Sequence, residues 1–587
     1  MGPQLMPENA AMSNGVHHEV PEFLGPKRMI NRQEYIRLME QSLHRLGFTA
    51  AAQQLERDSG IQMQPVTVTQ FQDHIFHGRW DAALALLPRL TYDPNVALQA
   101  RFLIIQQKYV EAVEAGHMSA ALRTLRKELA PLKINEPQLR KLAGCLLRQH
   151  DDPVNPLIKD LEWGVLEECS RAQLIWALQQ RLPPSIMIPD NRLEQLVEQA
   201  LDAQVAKCPY HNTQHFQISL FSDYQAGIEQ LPTHPNQVLE THKDEVWHVQ
   251  FSNSGLLLAS ASKDNTAQIW RIGPTGEAVH MHTLTGHEKA VAFLTWSPDD
   301  SRLLTCGSDH EVRLWNTDTG HCAQVYKHQN NQVSSCAWQP DSRRFVVGTV
   351  DRIVYTYDVE GQMLRRRKLL RINDLALTRD GTVMVTVNQE KIIKVQRLSD
   401  NTDTKDMAVS VMETAPIMSM ALSPDNAYIL VNLASHTIHL WPLEPMLRQL
   451  DALHSGQISP DEASNGIKEP VMEYKMDPNR QPRFIIRSCF GGSNAAFVAS
   501  GSEDCRVHIW HRDSGDLLAQ LEGHSGTVNS VSWNPTNPFM LASASDDKTV
   551  RIWVAPLALN TGLPATAGPS PAYSYGSSRA GPGLSHA

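Results

Sequence analysis

Cysteine is scarce in this chain. The eight are Cys145, Cys169, Cys208, Cys306, Cys322, Cys336, Cys489 and Cys505, and no two form a Cys-x-x-Cys pair. Thiols so scattered exclude a disulfide framework and fit a reducing compartment. Cys208 and His211 make one isolated Cys-x-x-His, two ligands where zinc needs four, so no metal site is expected. Long apolar runs are also missing: none approaches the ~20 residues that span a bilayer. The first thirty residues lack a basic start followed by an apolar stretch, so no signal peptide is expected. Positive charge is in deficit, with 53 Lys+Arg against 63 Asp+Glu for a net charge of −10. Such a chain has no global attraction to phosphate backbones or anionic lipid, and neither nucleic acid nor a membrane is an expected partner. A nucleotide-binding Gly-rich loop, a Gly-x-Ser-x-Gly elbow and a His-Glu-x-x-His pair are all lacking. No catalytic residue and no cofactor is therefore expected.

What remains is an ordinary soluble composition, 42% hydrophobic and 20% charged, spread over 587 residues. Single cores stop growing near ~250–300 residues, so two or three domains are expected. Residues 1–28 and 555–587 are rich in Pro, Gly and polar types and read as tails too poor in large apolar groups to offset ordering entropy. Between them the pattern changes once. Helical periodicity dominates to about residue 207, a linker covers 208–235, and short strands with turn signals fill 236–554.

The strand region repeats. One column, just before turns such as SPDD, contains Phe251, Trp296, Trp338, Leu377, Leu422, Phe490 and Trp533. Nineteen or twenty residues later stand Trp270, Trp315, Tyr357, Gln396, Trp441, Trp510 and Trp553. Six positions before this second column lie Asp264, Asp309, Asp351, Glu390, Ser435, Asp504 and Asp547. The count is seven, and most intervals fall between 38 and 45 residues, the period of a four-stranded propeller blade. One interval is 69 residues, and 446–468 reads as a polar inserted loop within it. Gly-His at 286–287 and 523–524, with His242 and His328, marks blade starts. Nothing strand-like follows Trp553, so NQVLET at 236–241 is expected to supply the outer strand of the last blade and remove the exposed sheet edges. Repeats four and five lack the His–Asp pair and are expected to be the least rigid.

In the helical half, Ile36, Met39, Leu43 and Leu46 recur at helical steps, Gly47 suits a helix end, Thr49 is placed to cap the next helix, and Phe48, Ala52 and Leu55 follow. A unit of roughly 30 residues lies below the ~40 needed to fold alone, so its apolar stripe must be covered. Self-association is the simplest cover, and packing on later helices is the alternative. Further stripes run through Leu98, Phe102, Ile105 and Tyr109, through Leu122, Leu125 and Leu129 with Ser119 placed to cap, and through Leu193, Leu196, Val197, Ala200 and Leu201.

These segments resemble known modules. YIRLMEQSLHRLGFTAAAQQLERDSG (within 31–62) resembles the LisH dimerisation motif, and the following stretch (67–207) resembles a CTLH module with a CRA-like extension. LASASKDNTAQIW, LLTCGSDHEVRLW, VASGSEDCRVHIW and LASASDDKTVRIW resemble WD40 repeats. The order LisH, CTLH, seven WD repeats resembles the WD-repeat subunits of GID/CTLH ubiquitin ligases. The resemblance implies a multidomain α + β fold, with an α-helical region followed by a seven-bladed β-propeller. It implies self-association through Ile36, Met39, Leu43, Leu46, Phe48 and Leu55. It also implies structural roles for His242, Asp264, Trp270, His287, Asp309, Trp315, His328, Asp351, Asp504, Trp510, His524, Asp547 and Trp553. It further implies a non-catalytic scaffold in cytoplasm and nucleus, forming a homo-dimer or higher oligomer. Its partners would be other LisH–CTLH subunits, RING subunits that carry out ubiquitin transfer, and substrates or adaptors destined for proteasomal degradation. The residues after the blade tryptophans (Arg271, Asn316, Pro442, His511 and Val554) give no Trp-Asp-x-Arg box, which disfavours docking to cullin-4 adaptors. A LisH–WD40 corepressor and a G-protein-type signalling scaffold stay open as alternatives. The run Arg365–Lys368 fits an import signal, an acidic contact or a solvated strand.

Overall fold

Helix α1, Arg32–Arg45, starts where the Asn31 side chain accepts the backbone N–H groups of Gln33 and Glu34, at 2.8 and 3.3 Å. Those are donors that a first helical turn leaves without partners. After Gly47, α2 runs Thr49–Ser59 and ends at Gly60, whose φ of 67° suits a residue without a Cβ. Thr49 is the first residue of α2 rather than its cap; Phe48 holds that position and makes no side-chain cap bond. Ser119 likewise lies inside its helix.

The structure, a computed structural model, describes residues 22–145, 167–213, 218–328, 332–369, 371–398, 408–459, 462, 469–476 and 484–557. Most of both expected tails lies outside these residues. Helices α3 (Val66–Phe76), α4 (Trp80–Leu90), α5 (Pro94–Glu114), α6 (Met118–Thr124), α7 (Glu136–Cys145), α8 (Glu167–Gln179) and α9 (Arg192–Lys207) follow. Phe71, Ile75, Ala83, Leu90, Ile104, Leu174 and Leu178 form one buried cluster. Phe102, Ile105, Tyr109, Leu129 and Leu142 form a second along α5, while Leu98 is exposed. One cation fastens four helices: Arg171 of α8 makes two hydrogen bonds to the Glu111 carboxylate of α5, at 2.8 and 2.9 Å, donates to the Phe76 carbonyl of α3, and lies over the Trp80 ring of α4. Paired bonds from a guanidinium fix geometry as well as adding energy.

The chain divides into two compact units between Asp202 and Ala203. The second holds seven four-stranded antiparallel sheets, each running inner to outer in chain order except the last. That blade consists of Val528–Trp533, Met540–Ser545 and Val550–Val554, and takes its outer strand from His234–Leu239. Leu239 pairs with Val550 and Pro235 with Trp553, so the expected closing strand is present and begins two residues earlier than expected. Side chains also link neighbouring inner strands. The Ser530 and Ser532 hydroxyls accept the Val249 and Phe251 N–H groups, and Asp374 accepts the Met420 N–H. At the closing seam Asn534 Nδ2–H donates to the carbonyl of Gly255, which sits at φ +72°, at 2.9 Å; a Cβ there would meet the Asn534 Oδ1 at 2.3 Å, so only glycine fits.

Two expectations need correction. The expected polar loop at 446–468 contains helix α10, Leu443–His454, whose Leu443, Met446, Leu450 and Leu453 are buried in one cluster with residues of blades 4 and 5. Steps of three, four and three marked this stripe; only residues 460, 461 and 463–468 of that segment lie outside the described ones. The described parts of the expected linker, 208–213 and 218–235, also include packed residues. Asn212 donates to the carbonyls of Gln230 and Pro538, at 2.9 and 2.7 Å, and accepts the Ser493 N–H, which ties the segment to blades 6 and 7.

Glu40 on α1 is 1% exposed, and neither carboxylate oxygen has a hydrogen-bond partner. Burial first, and Glu56 second, push its carboxyl from 4.5 up to about 7. A folded-state value above the unfolded one means that the folded state holds the proton. Stability is therefore fully present below pH 4.5 and lost as pH rises through about 7. Glu40→Met should raise the thermal midpoint of the helical unit above pH 7 and flatten its dependence between pH 5 and 8, read by circular dichroism at 222 nm. A variant that keeps the wild-type slope would show that another group titrates.

Candidate functional site

Three blades share one buried relay. In blade 2, Trp315 Nε1–H donates to Thr305 Oγ1 at 2.8 Å, Thr305 Oγ1 lies 2.8 Å from His287 Nε2, and His287 Nδ1 lies 2.9 Å from Asp309. Blade 7 repeats this through Trp553, Ser543, His524 and Asp547, and blade 1 through Ser260, His242 and Asp264. The hydrogen count fixes the tautomer. Where the hydroxyl oxygen receives the indole N–H, its own proton goes to Nε2, and the Nδ1 proton goes to the carboxylate. In blades 2 and 7 each of these donors then has an acceptor. The Asp also accepts the backbone N–H after its His, at 2.9 Å for Glu288 and 3.0 Å for Ser525, which pins the loop between blades. Burial works to raise Asp309, but these bonds outweigh it and hold the carboxyl at about 2; Asp264 and Asp547 are lowered in the same way. Burial holds His524 below its ordinary value against the pull of Asp547.

The order hydroxyl, imidazole, carboxylate is that of a nucleophilic triad. Ser260, Thr305 and Ser543 are wholly buried, and in two of the sets the oxygen is already occupied by indole. No substrate carbonyl reaches such an oxygen. These sets anchor blades.

Other sequence-singled residues are placed differently. His328 is buried, its Nε2 has no partner, and burial pushes its imidazole down to about 4; Asp351 is exposed and does not complete a pair. Tyr355 and Tyr357 pack on His328 instead, with ring centroids at 4.9 and 5.5 Å. In blade 6, Asp504 pairs with His508 Nε2 at 2.9 Å, and His508 stacks on Trp510. Blade 5, read as lacking an anchor, has one in inverted form. Glu413 stands where other blades carry His and accepts from Trp441 Nε1 and His439 Nδ1, the latter at 3.0 Å. Burial works to raise Glu413, yet the bonds from His439 and Trp441 lower it. The missed signal is His-x-Trp: His439 and His508 each stand two residues before their blade tryptophan.

The central channel holds a cavity of about 570 Å³, bordered by all seven blades. Arg487 crosses it to Asp374 of blade 4 at 2.8 Å and lies 4.7 Å from the Phe293 ring centroid of blade 2. His248 beside it accepts the Leu294 N–H, and burial first, then Arg487, drives its pKa well down. Sequence reading found none of these, since each partner comes from a distant blade. Cys208 and His211 do not share a ligand: His211 Nδ1 meets the Tyr224 hydroxyl at 2.8 Å and the Cys208 thiol faces the Ala226 backbone. Among the described residues no group of three or more His, Cys, Asp or Glu is placed to hold a metal ion. No described helix is long and apolar enough to cross a membrane.

In the first unit Ile36 is buried, and Met39, Leu43 and Leu55 are half-buried within one copy of the chain. Leu46 and Phe48 are 67% and 60% exposed, side by side at the turn between α1 and α2. On α9, Leu193, Val197 and Leu201 are half-buried, while Leu196 and Ala200 are exposed.

Asp309→Ala should destabilise the propeller by ~1–3 kcal/mol, because it strands buried donors. The depressed carboxyl contributes stability above its ordinary 3.8 that is lost as pH falls through about 2, so the variant should also flatten acid unfolding over that window. Chemical denaturation at pH 7 and pH 3 reads both; an unchanged midpoint would make the relay dispensable.

Comparison with known proteins agrees with this architecture. Residues 21–65 match the WDR26 Lis-homology domain, and 233–271, 278–316, 320–358, 482–511 and 515–554 match the WD domain, G-beta repeat. The unmatched span between 358 and 482 holds blades 4 and 5, whose sequences lack the His–Asp pair. A WD repeat-containing protein 26 homolog of Arabidopsis thaliana is 39% identical over 91% of this chain and 86% of its own length. The GID complex subunit 7 of Schizosaccharomyces pombe is 35% identical over 89% of this chain and 96% of its own. With a Lis-homology domain ahead of a seven-bladed ring, and relatives covered nearly end to end, the chain belongs to the LisH–WD-repeat family that includes the WD repeat-containing protein 26 homologs and GID complex subunit 7.

Proposed function

We propose that this protein is a non-catalytic scaffold subunit of a GID/CTLH-type ubiquitin ligase. In this reading it self-associates through α1 and α2, and its propeller holds substrates or adaptors for ubiquitin- and proteasome-dependent degradation. RING subunits of the same complex perform the transfer, and the assembly works in cytoplasm and nucleus. The observation that carries the reading is the exposed Leu46–Phe48 pair on a two-helix unit of a chain whose relatives include a GID complex subunit. Two large apolar side chains at one turn lose water contact when a second surface covers them, at ~25 cal/mol per Å². The propeller supports the second half of the reading, because its relays are spent on stability and its loops remain for recognition.

Leu46→Asp with Phe48→Asp leaves the buried face of the two helices intact. It should reduce the assembled mass by at least about half in light scattering while the propeller unfolds at the wild-type temperature. An unchanged mass would remove this turn from the assembly interface. Affinity purification from cells tests the complex itself: recovery of RING-bearing LisH–CTLH partners supports the ligase, and recovery of histone deacetylases without them would replace it with a corepressor.

A further inference from the structure

The run Arg365–Lys368 is most of the outermost strand of blade 3, Met363–Lys368, which pairs with Ile353–Asp358. A nuclear-import signal is read as an extended free segment, and this one is part of a sheet. Arg365 and Arg367 point to one side, where both donate to the Leu398 carbonyl, at 2.7 and 3.0 Å. Arg366 and Lys368 lie on the other side and are exposed. Arg366 sits over the Tyr355 ring, 5.9 Å from its centroid. At the same corner the Leu369 N–H bonds to the Arg352 carbonyl, which brings exposed Arg352 and Arg371 near the end of the strand. Among the described residues none of Arg352, Arg366, Lys368 and Arg371 has an ion-pair partner, and exposed Asp351 is the one acid beside them in sequence.

Cations on an edge strand often serve only to discourage sheet-to-sheet pairing. That purpose would apply to every blade. The outer strands of the other six, AVHMHTL, CAQVYK, AVSVM, MEYK, LLAQL and HPNQVL, hold two Lys and no Arg between them. Blade 3 alone concentrates the charge: residues 333–371 carry eight cationic and four anionic side chains in a chain of net charge −10. Among the described residues its outer backbone edge has no strand beside it, and Met363 and Leu364 at the strand start are 51% and 45% exposed.

We infer that the outer edge of blade 3 is a docking site for an extended acidic segment of a partner protein, added as a fifth strand. Side chains alternate across a strand, so Arg366 and Lys368, paired with Tyr355 and Ile353, share a face, while Leu364 stands at a bulge in the register. The fitting segment carries two acidic residues at alternate positions, opposite Arg366 and Lys368, with apolar residues between them. Cross-strand pairs of opposite charge then add to main-chain hydrogen bonds, the usual division between affinity and selectivity in strand addition. Nucleic acid fits less well, since a polyanion meets a molecule that is negative overall and only four free cations at this corner. The inference holds whether or not the chain serves a ligase.

Fluorescence anisotropy on the full-length protein tests it, at 0.15 M salt. The probes are a labelled twelve-residue peptide of alternating Glu and Val, its Gln-for-Glu counterpart, an Glu–Val version with alternate backbone amides methylated, and a single-stranded DNA twelve-mer. The Glu–Val peptide should bind, and the Gln and methylated peptides should bind at least about tenfold more weakly. Arg366→Glu with Lys368→Glu should cost a similar factor, and the milder Arg366→Gln with Lys368→Gln should fall between while unfolding at the wild-type temperature. Equal binding of the peptide by wild type and both variants would overturn the site. Indifference to methylation would overturn strand addition, and tighter binding of DNA than of peptide would overturn the choice of partner.

Discussion

Every blade but one closes its own sheet; the ring as a whole depends on a strand that belongs to the other end of the repeat region. The pairing of His234–Leu239 with Val550–Val554 turns a row of seven sheets into a circle. Without it the last blade would end on three strands with an open edge, and the first blade would lose the neighbour that fills its inner face. Phe251, Leu258 and Trp270 of blade 1 share one buried cluster with Met540, Val550 and Ile552 of blade 7, so the seam is apolar as well as hydrogen-bonded. Among the described residues Arg487 and Ser530 make an isolated bridge, and inner strands of adjacent blades form no ladder with one another. They are joined by side chains reaching across, of which Ser530, Ser532, His248 and Asp374 are examples, and by the Arg487–Asp374 pair across the channel. Closure brings these partners within reach.

Within that ring the blades solve one problem by several means. A tryptophan N–H is buried on the third strand and needs an acceptor, because an unsatisfied buried donor is costly. Blades 2 and 7 supply a hydroxyl backed by imidazole and carboxylate. Blade 5 supplies a carboxylate directly and moves the imidazole to the strand, two residues ahead of the tryptophan. Blade 6 places His508 at that same strand position and pairs it with the usual loop Asp. Blade 3 replaces tryptophan by Tyr357 and surrounds His328 with aromatic rings, leaving Asp351 in solvent. In blades 2, 5 and 7 the outcome is a tryptophan N–H with a buried acceptor and polar groups used within the blade.

A propeller stabilised in this way presents loops and strand edges rather than reactive side chains. The helical unit presents something different, an apolar turn at Leu46 and Phe48 beside a helix whose buried carboxyl, Glu40, is pushed up to about 7 by burial. The two kinds of surface suit two kinds of contact, one driven by burial and one by charge and shape. That combination is what the proposed scaffold role would use.

Much of this was legible beforehand. The seven-fold count, the closing strand and the His–Asp pairs of blades 1, 2 and 7 follow from residue types at fixed spacing, because a repeat confines its interactions within one blade or to the next. The stripe Ile36, Met39, Leu43 was equally plain, since a helix writes its buried face into its own period. Helix α10 was legible too, in Leu443, Met446, Leu450 and Leu453, but the polar residues between them masked the stripe. What the tertiary structure alone decided is who meets whom across blades: Arg487 with Asp374, Asn212 with Pro538, Glu413 with His439 and Trp441. It also decided that Asp351 stays in water and that Leu46 and Phe48 remain uncovered. Local periodicity specifies which face of an element is apolar; the partner that covers that face, or completes a buried hydrogen bond, is set by the path of the chain in space.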